Sequence, residues 1–545
     1  MFHRTAINRF RYIYSTSTVS PPRFLSLRPI PKPFQLYRTT TLKPFQFHFF
    51  SSYSSSSSSN AKDYPTGDFN FEPPTGFNKF LVKLKTTLAL PSEFVQHGSV
   101  LKINLQGRIS DELSRTLCDP NVLSLPQICD NFLKAAYDPR ISAVYLYIHN
   151  LNCGWAKLDE IRRQISNFQK SGKIVVAYVP TILPKEYYIA CACDEIFGPS
   201  SDGDGDKIYT YRDISVGFTF HSLSYLSFVS CLYDNPYENL FDCAGDKNYE
   251  ALTPFVDYIY SNWLDKVSSS RGKKREEVEN LVNEGVYQVD KLKNEGFISS
   301  LVHDDDDVIT LLKERLGVKS LPMISFREYS KVRKWTVVGI SEAKEQIAII
   351  RSSEAMRSGV TSNIIKKIDM VKESKKFKAA IIRIDSLGGG VHASLSMWAA
   401  VSSLASEKPV IASMSDVATN AGYYMAIGAG SIVAENLTLT GSIRGTLSQY
   451  FNLDNRYENI YLEDTDMYPF TPYDVDLYDV YPTISMALNR IHKTKKVEHR
   501  RLWTGKDATS HGLVDAIGGI SCAIAIAKLK ANIPQNRKVS VVELS

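Results

Sequence analysis

An ordered series of short apolar runs occurs twice in this chain of 545 residues, and this internal repeat most constrains its fold. The first copy has apolar runs at 141–148 and 173–178, separated by a turn and a polar helical segment. The second copy, in the other half of the chain, has matching runs at 378–384 and 408–413. Short apolar runs that alternate with helical segments are typical of parallel β-α-β units. The sequence therefore predicts an α/β protein with two tandem domains.

The repeat also predicts where the domains begin and end. We expect a leader over 1–62, a first domain with a helical connector over 75–320, and a second domain over 330–545. Residues 451–482 carry eight Asp and Glu against one Arg, which indicates an acidic, loop-rich insertion. The run Asp304–Asp307 is interpreted as a solvated loop, because it lacks the spaced ligands of a calcium loop.

The leader accounts for the basic charge of the chain. Residues 1–62 contain six Arg, three Lys and many Ser, but no Asp or Glu. Without these nine bases the formal charge falls from +6 to slightly negative, so a nucleic-acid partner is not indicated. A Ser- and Arg-rich, acid-free start is typical of an organellar transit peptide. We expect the chloroplast, in the stroma or at the thylakoid surface, with the mitochondrion as the alternative.

No membrane span, metal site or cofactor is indicated by the sequence. No apolar run approaches the roughly 20 residues that a spanning helix needs. The eight cysteines form no C-x-x-C pair, and Cys191 and Cys193 have no accompanying His or Cys cluster. These thiols are therefore interpreted as buried and unpaired.

The segment KPVIASMSDVATNAGYYMAIGAG, around Asn420, resembles the SppA-type serine proteases (signal peptide peptidase A). The resemblance extends over about residues 75–545 and is dense in WTGKDATSHGLVDAIGG and ESKKFKAAIIRIDSLGG. It implies a ClpP/crotonase-like fold and a site in which a lysine activates a serine. In that family the serine opens a helix, and here its position holds Asn420. Gly422, in the same helix, and Ser442 are expected at the cleft wall.

The resemblance also implies the position of the lysine and of the oxyanion hole. The family's lysine precedes a glycine-aspartate pair, and the register of Ala244-Gly245-Asp246 places Asp242 there. Gly388 and Gly389 match the oxyanion-side glycines, whose backbone N–H groups hold the tetrahedral oxyanion. Because the serine and the lysine are both replaced, the sequence predicts an impaired protease.

Three functions stay open at this point. The first is a pseudoprotease that binds unfolded peptides, as a homo-oligomer or together with an active paralogue. The second is an active chloroplast endopeptidase that degrades signal peptides or light-damaged thylakoid proteins, with Thr419, Cys243 or Lys247 as substitute groups. The third is crotonase-like acyl-CoA chemistry, although no acyl-CoA-specific pattern is apparent.

Overall fold

The computed structural model describes ten stretches of the chain. They are residues 64–73, 75–87, 93–113, 121–200, 246–284, 289–338, 345–353, 358–388, 391–441 and 502–544. The predicted leader and the predicted acidic insertion lie outside these stretches.

Strands of the first half form one parallel sheet. They are β1 (Ser99–Ser110), β2 (Leu123–Ser124), β3 (Ile141–Asn152), β4 (Ile174–Tyr178), β5 (Glu195–Pro199), β6 (Ser300–Val302) and β7 (Met323–Ser325). The spatial order is β2-β1-β3-β4-β5-β6, and β7 also pairs with β1. All of these pairs are parallel.

Strands of the second half form a second sheet. They are β8 (Gln346–Ser352), β9 (Phe377–Ser386), β10 (Val410–Thr419), β11 (Ser431–Ala434), β12 (Leu439–Gly441), β13 (Leu502–Thr504), β14 (Ala516–Ile517) and β15 (Ser540–Leu544). The order is β13-β12-β10-β9-β8-β15, and β11 pairs with both β10 and β14. The pairs are parallel except β12 with β13.

Helices connect these strands. In the first half they are α1 (Gly76–Thr87), α2 (Leu125–Tyr137), α3 (Trp155–Gln169), α4 (Pro184–Ala190), α5 (Asp246–Arg271), α6 (Arg275–Glu284), α7 (Val289–Asn294), α8 (Asp305–Leu316), α9 (Phe326–Tyr329) and α10 (Lys334–Val337). In the second half they are α11 (Ser358–Glu373), α12 (Val391–Ala405), α13 (Ala421–Ile427), α14 (Gly505–Ser510) and α15 (Ile520–Lys530). Among the helices in the described stretches, none is both long and apolar enough to cross a membrane.

The two sheets repeat one plan. The order β1-β3-β4-β5-β6 in the first half corresponds to β8-β9-β10-β11-β14 in the second. The hydroxyl of Tyr187, in α4, donates to the carbonyl of Phe297 at 2.8 Å, and Tyr423, in α13, donates to the carbonyl of Leu513 at 2.8 Å. Both rings are buried. The predicted tandem α/β fold is confirmed, and these tyrosines are core residues.

Strand β10 lies in the middle of the second half and is buried at every position. Helices α12, α13 and α15 of the same half pack against it, and so does α3 of the first half. The packing of α3 on β10 joins the two halves at Asp416, three residues before the end of β10.

Two further expectations can be compared with the packing. Strand β7 pairs with β1, and Val332 and Val337 are buried in the core of the first half. The domain bounds stay a prediction, and this packing favours a boundary after residue 338.

The interpretation of Asp304–Asp307 as a loop is wrong. Asp304 caps α8 and accepts from the N–H groups of Asp306 and Asp307 at 2.9 and 3.1 Å, because carboxylates satisfy the first N–H groups of a helix.

Candidate functional site

Asn420 occupies a strained turn between β10 and α13. Its backbone has φ 50° and ψ −115°, a conformation that side-chain-bearing residues rarely adopt. Its N–H donates to the carbonyl of Gly441 at 3.0 Å, and its carbonyl accepts from the N–H of Tyr424 at 3.0 Å. These two bonds anchor the turn to β12 and to the first turn of α13. The residue is therefore placed at a sharp strand-to-helix elbow, the kind of turn that presents a nucleophile in other hydrolases.

The turn after β9 faces this elbow. Gly388 has φ 127°, and a Cβ built on it would lie 3.3 Å from the Cβ of Asn420. Glycine is therefore needed at this position both for its backbone conformation and for the close approach. The N–H of Gly388 points at the hydroxyl oxygen of Ser386 at 3.2 Å, within the same turn. For this N–H to donate to an oxyanion, its hydrogen bond to Ser386 would first have to break.

The absence of a side chain at Gly422 allows α13 to pack closely against the turn after β9. A Cβ at this position would lie 2.9 Å from the carbonyl oxygen of Ser386, at the end of β9. The structure therefore gives Gly422 a packing contact with the facing turn. The expectation that Gly422 lines the wall of a cleft stays a prediction.

Thr419 precedes Asn420 and is buried. Its hydroxyl donates to the carbonyl of Leu387 at 2.9 Å, across from β10 to the turn after β9. The hydrogen bond ties the elbow to the facing turn. It also turns the hydroxyl toward a backbone acceptor in the protein interior.

A buried cluster of charges lies just below the two turns. The amino group of Lys157, in α3, contacts the carboxylate of Asp385 at 2.7 Å and that of Asp416 at 3.0 Å. Asp385 comes three residues before Gly388, and Asp416 comes four before Asn420. All three side chains are largely shielded from solvent, with exposed fractions of 8%, 13% and 4%. A lysine of the first half thereby joins both turns of the second half.

The charge state of Lys157 follows from this environment. Burial alone would lower its pKa, but the attraction of Asp385 and then of Asp416 outweighs burial and raises the pKa well above its ordinary value. Burial raises the pKa of Asp385, although Lys157 opposes that change. At neutral pH Lys157 is therefore protonated, and its amino group then has no lone pair with which to accept a proton.

The carboxylate of Asp416 also caps the start of α3. It accepts from the N–H of Gly154 at 2.7 Å and from the N–H of Lys157 at 2.9 Å. The ladder between β9 and β10 is interrupted between Met414 and Ala418, and Asp416 lies in this interruption. The turn before α3 corresponds in the repeat to the turn at Gly388. The N–H groups at the start of α3 could bind an anion, and in the first half the carboxylate of Asp416 from the second half occupies that position.

A second charge pair continues the cluster away from the elbow. Arg383, in β9, contacts Asp111 at 2.8 Å and donates to the hydroxyls of Ser413 and Ser415 at 2.9 and 3.0 Å. Arg351 binds the other oxygen of Asp111. Burial would raise the pKa of Asp111, but Arg383 and Arg351 together lower it to about 2. Asp111, Arg351 and Arg383 therefore form a buried, ionised group at the contact between the halves.

Comparison with known proteins decides the family. The chain is 45% identical over 526 residues to the serine protease SPPA, chloroplastic, of Arabidopsis thaliana, and the match covers 89% of this chain and 77% of that protein. The chain belongs to the SppA family of serine proteases. The family model of peptidase family S49 matches residues 402–466, which include the elbow. Protease 4 of Haemophilus influenzae is 25% identical over 519 residues, covering 84% of this chain and 82% of that protein.

Two solved structures of the 1510-N membrane-bound stomatin-specific protease are also similar. A lysine-to-alanine mutant of that protease, in complex with a substrate peptide, covers 37% of this chain and 93% of its own, at 20% identity and a TM-score of 0.26. A serine-to-alanine mutant of the same protease covers 38% and 99%, at 17% identity and a TM-score of 0.25. At these scores neither supports an argument about this chain.

The predicted site of this SppA-family chain is only partly within the described residues. Asn420, Gly388 and Gly422 are described and lie together at the elbow. Asp242, Gly389 and Ser442 lie outside the described residues, as does Cys243. The roles proposed for all six site residues stay predictions.

The cysteines in the described part of the chain agree with the expectation of buried thiols. Cys129, Cys153, Cys191, Cys193 and Cys522 are unpaired, and most are buried. Burial raises the pKa of Cys153, which lies near the charge cluster, to about 12. The described stretches contain no group of three metal-ligating side chains.

Sequence reasoning missed the cluster of Lys157, Asp385 and Asp416. One signal was present, since Asp416 interrupts a strand that is otherwise suited to burial, and a buried carboxylate needs a partner. Lys157 gave no such signal, because it lies among other polar residues of a helix.

Proposed function

We propose that this chain is a catalytically silent member of the SppA family that binds unfolded peptides. The observation that carries the proposal is the elbow at Asn420. Its strained backbone and the close approach of Gly388 are those that a nucleophile would need, while the side chain is a carboxamide. Strain of this kind costs roughly 1–3 kcal/mol and persists only where the surrounding structure enforces it.

A carboxamide cannot perform the family's reaction. The nitrogen of Asn420 shares its lone pair with its own carbonyl, so it does not attack a peptide as a serine alkoxide does. Loss of the nucleophile alone reduces kcat about a million-fold in a serine protease. Loss of the lysine at the position assigned to Asp242 removes the general base as well. Peptide binding needs neither group.

Substitute groups in the described residues are poorly suited to catalysis. The hydroxyl of Thr419 donates to Leu387 in the interior, and the amino group of Lys157 is held as a cation by two carboxylates. The raised pKa of Cys153 keeps its thiol protonated at neutral pH. These contacts favour a silent site over an active endopeptidase with an unrecognised dyad.

Location and partners follow from the family. The chloroplast expected from the leader agrees with the chloroplastic Arabidopsis relative. We infer that the chain acts there on peptides or unfolded protein segments, as a homo-oligomer or together with an active paralogue.

Fluorescence anisotropy of a labelled, unfolded casein peptide tests this proposal. We expect the purified full-length chain to bind the peptide and to leave it uncut, as judged by mass spectrometry after the binding measurement. Gly388→Ala should weaken binding, because the new Cβ would crowd Asn420. Gly98→Ala is the matched control, since Gly98 also has a positive φ (80°) but has nothing within 4 Å of a built Cβ.

Two results would oppose the proposal. Catalytic turnover of the peptide by the parent chain would show that the site is active. Equal binding by the parent and by Gly388→Ala would show that the peptide does not occupy the elbow.

A further inference from the structure

Residues 64–72 lie between the predicted leader and α1, and they form no helix or strand. Solvent exposure alternates along this segment. Four residues are exposed and four are partly buried, in the order Tyr64 (partly buried), Thr66 (exposed), Gly67 (partly buried), Asp68 (exposed), Phe69 (partly buried), Asn70 (exposed), Phe71 (partly buried) and Glu72 (exposed). One side of an extended segment therefore lies against the protein. We call residues 64–72 the strap.

The amino-terminal end of the strap lies on the second half. The ring of Tyr64 packs against the apolar core that includes α15, and its hydroxyl lies 3.4 Å from the hydroxyl oxygen of Ser431 in β11. The thiol of Cys522, in α15, donates to the carbonyl of Pro65 at 3.5 Å. Cys522 is 2% exposed. The strap is therefore part of what shields this thiol from solvent.

A close contact at Gly67 joins the strap to the first turn of α15. Gly67 has φ 70°, a conformation that residues with a side chain rarely adopt. A Cβ built there would overlap the carbonyl oxygen of Ser521 and would lie 2.9 Å from the backbone nitrogen of Cys522. A side chain at this position would therefore displace the strap from α15.

The start of α15 also lies at the contact between the two halves. A Cβ built on Gly519, directly before α15, would overlap the side chains of Glu160 and Arg163, in α3 of the first half. It would also overlap the carboxylate of Glu435, in the second half. Arg163 pairs with Glu435 at 2.8 Å. The strap is thus attached to the second half next to an ion pair that joins both halves.

The carboxy-terminal end of the strap lies on the first half. The rings of Phe69 and Phe71 contact the ring of Tyr137, at the end of α2, with distances between ring centres of 6.2 and 5.0 Å. Phe71 also packs against the apolar core of the first half. The amino group of Lys170, directly after α3, donates to the carbonyl of Phe69 at 2.8 Å. One short segment therefore contacts the cores of both halves.

We propose that the strap holds the two halves of the mature chain together, and that removal of the leader stops before Tyr64 so that the strap is kept. The strap forms no helix or strand, so its attachment comes from the contacts at its two ends. Segments with few backbone hydrogen bonds of their own open locally, without unfolding of the parts that they contact. Release of the strap would loosen the contact between α3 and β10, which includes the ion pair of Lys157 with Asp416. The proposal does not depend on whether the site at Asn420 binds peptide.

Alkylation of buried cysteines in the purified full-length chain tests the first part. Labelling is followed under native conditions by mass spectrometry of the peptides that carry each thiol. Cys522 reports release of the strap, and Cys153, directly before the Gly154 that binds Asp416, reports opening of the contact between the halves. Cys193, which is 5% exposed in the core of the first half, is the internal control.

Gly67→Ala should release the second-half end of the strap. We expect the labelling rates of Cys522 and Cys153 to rise roughly tenfold or more, because strain at a positive φ adds to the overlap with the backbone of α15. The labelling rate of Cys193 should not change. Gly76→Ala is the matched control, since Gly76 has φ 52° and nothing within 4 Å of a built Cβ.

Phe71→Ala decides whether the strap acts as a unit. Phe71 packs on the first half, whereas Cys522 lies in the second, so faster labelling of Cys522 in this variant requires that the strap connect them. We expect a severalfold rise with an unchanged circular dichroism spectrum. Phe80→Ala is the control, because that ring is 59% exposed in α1. An unchanged rate at Cys522 in Phe71→Ala would overturn the proposal even if Gly67→Ala fails to fold, and so would an equal rise at Cys193.

Import of the full-length chain into isolated chloroplasts tests the second part. N-terminal sequencing of the imported protein gives the first residue of the mature chain. We expect it at or before Tyr64, so that all contacts of the strap are retained. A mature chain that begins beyond Tyr64 would overturn the proposal, because the contact with Ser431 would then be absent from the protein that acts in the organelle.

Discussion

Replacement of Lys157 by methionine tests how the two halves hold the elbow. Methionine has a similar length and no charge, so the change leaves the carboxylates of Asp385 and Asp416 buried and without their cation. Removing one partner of a buried ion pair costs about 3–5 kcal/mol, because the remaining charge stays desolvated. For a domain of this size each kcal/mol lowers Tm by roughly 2–4 °C. We therefore expect Tm to fall by roughly 6–20 °C.

Differential scanning calorimetry at neutral pH measures this change. The control is Lys266→Met, which removes the charge of an exposed lysine in α5 and should change Tm by less than about 2 °C. Adding Asp385→Asn to Lys157→Met should restore part of the loss, because one of the two uncompensated carboxylates is then neutral. A Tm fall for Lys157→Met no larger than that of the control would refute the argument that this cluster couples the halves.

Three further predictions concern the turns and the charged contacts. Gly422→Ala should destabilise the protein by about 1–3 kcal/mol, since its Cβ would lie 2.9 Å from a backbone oxygen, whereas Gly430→Ala, with nothing nearer than 3.4 Å, should cost less in chemical denaturation. Burial raises the pKa of Glu435 to about 7 despite its contact with Arg163, so its contribution to stability is fully present below its unfolded pKa and is lost as pH rises through about 7. Glu435→Gln should flatten that pH dependence in unfolding curves measured from about pH 5 to 8. Thr419→Val should cost about 1 kcal/mol through the lost hydrogen bond and should leave peptide hydrolysis at background.

Each of these has a contradicting result. Equal destabilisation by the two glycine variants would show that the contact of α13 with the facing turn does not limit its position. A parent and a Glu435→Gln variant with the same pH dependence would show that this carboxyl does not titrate near neutrality. A hydrolytic activity that disappears with Thr419→Val would revive the active-endopeptidase alternative.

Much of the fold follows from the sequence, because its strands are buried on both faces. The apolar runs at 141–148 and 378–384 correspond to β3 and β9, although β3 continues to Asn152. Continuous apolar runs predict such strands, whereas a charged residue within a run leaves the assignment of the strand ambiguous. The interpretation of Asp304–Asp307 failed for a different reason. A run of carboxylates is equally suited to a solvated loop and to a helix start, and only the backbone distinguishes them.

The position of the candidate site could be predicted from the sequence, but the contacts that hold it in place could not. The resemblance around Asn420 located the elbow, and it also located the turn at Gly388. The strained φ of Asn420 and its bond to Gly441 depend on the paired strands and cannot be derived from local sequence. The contact of Lys157 with two carboxylates depends on how the halves dock, which no spacing along the chain reveals.

Peptide hydrolysis by the parent chain and by the double variant Asn420→Ser with Asp242→Lys tests the central claim most directly. The claim is that the elbow is preserved while its nucleophile and base are lost. It predicts no cleavage of a quenched peptide by the parent and measurable cleavage by the double variant, with Asn420→Ser alone far less active. Cleavage by the parent that persists in Asn420→Ala would contradict the claim, because the reaction would then proceed without this position.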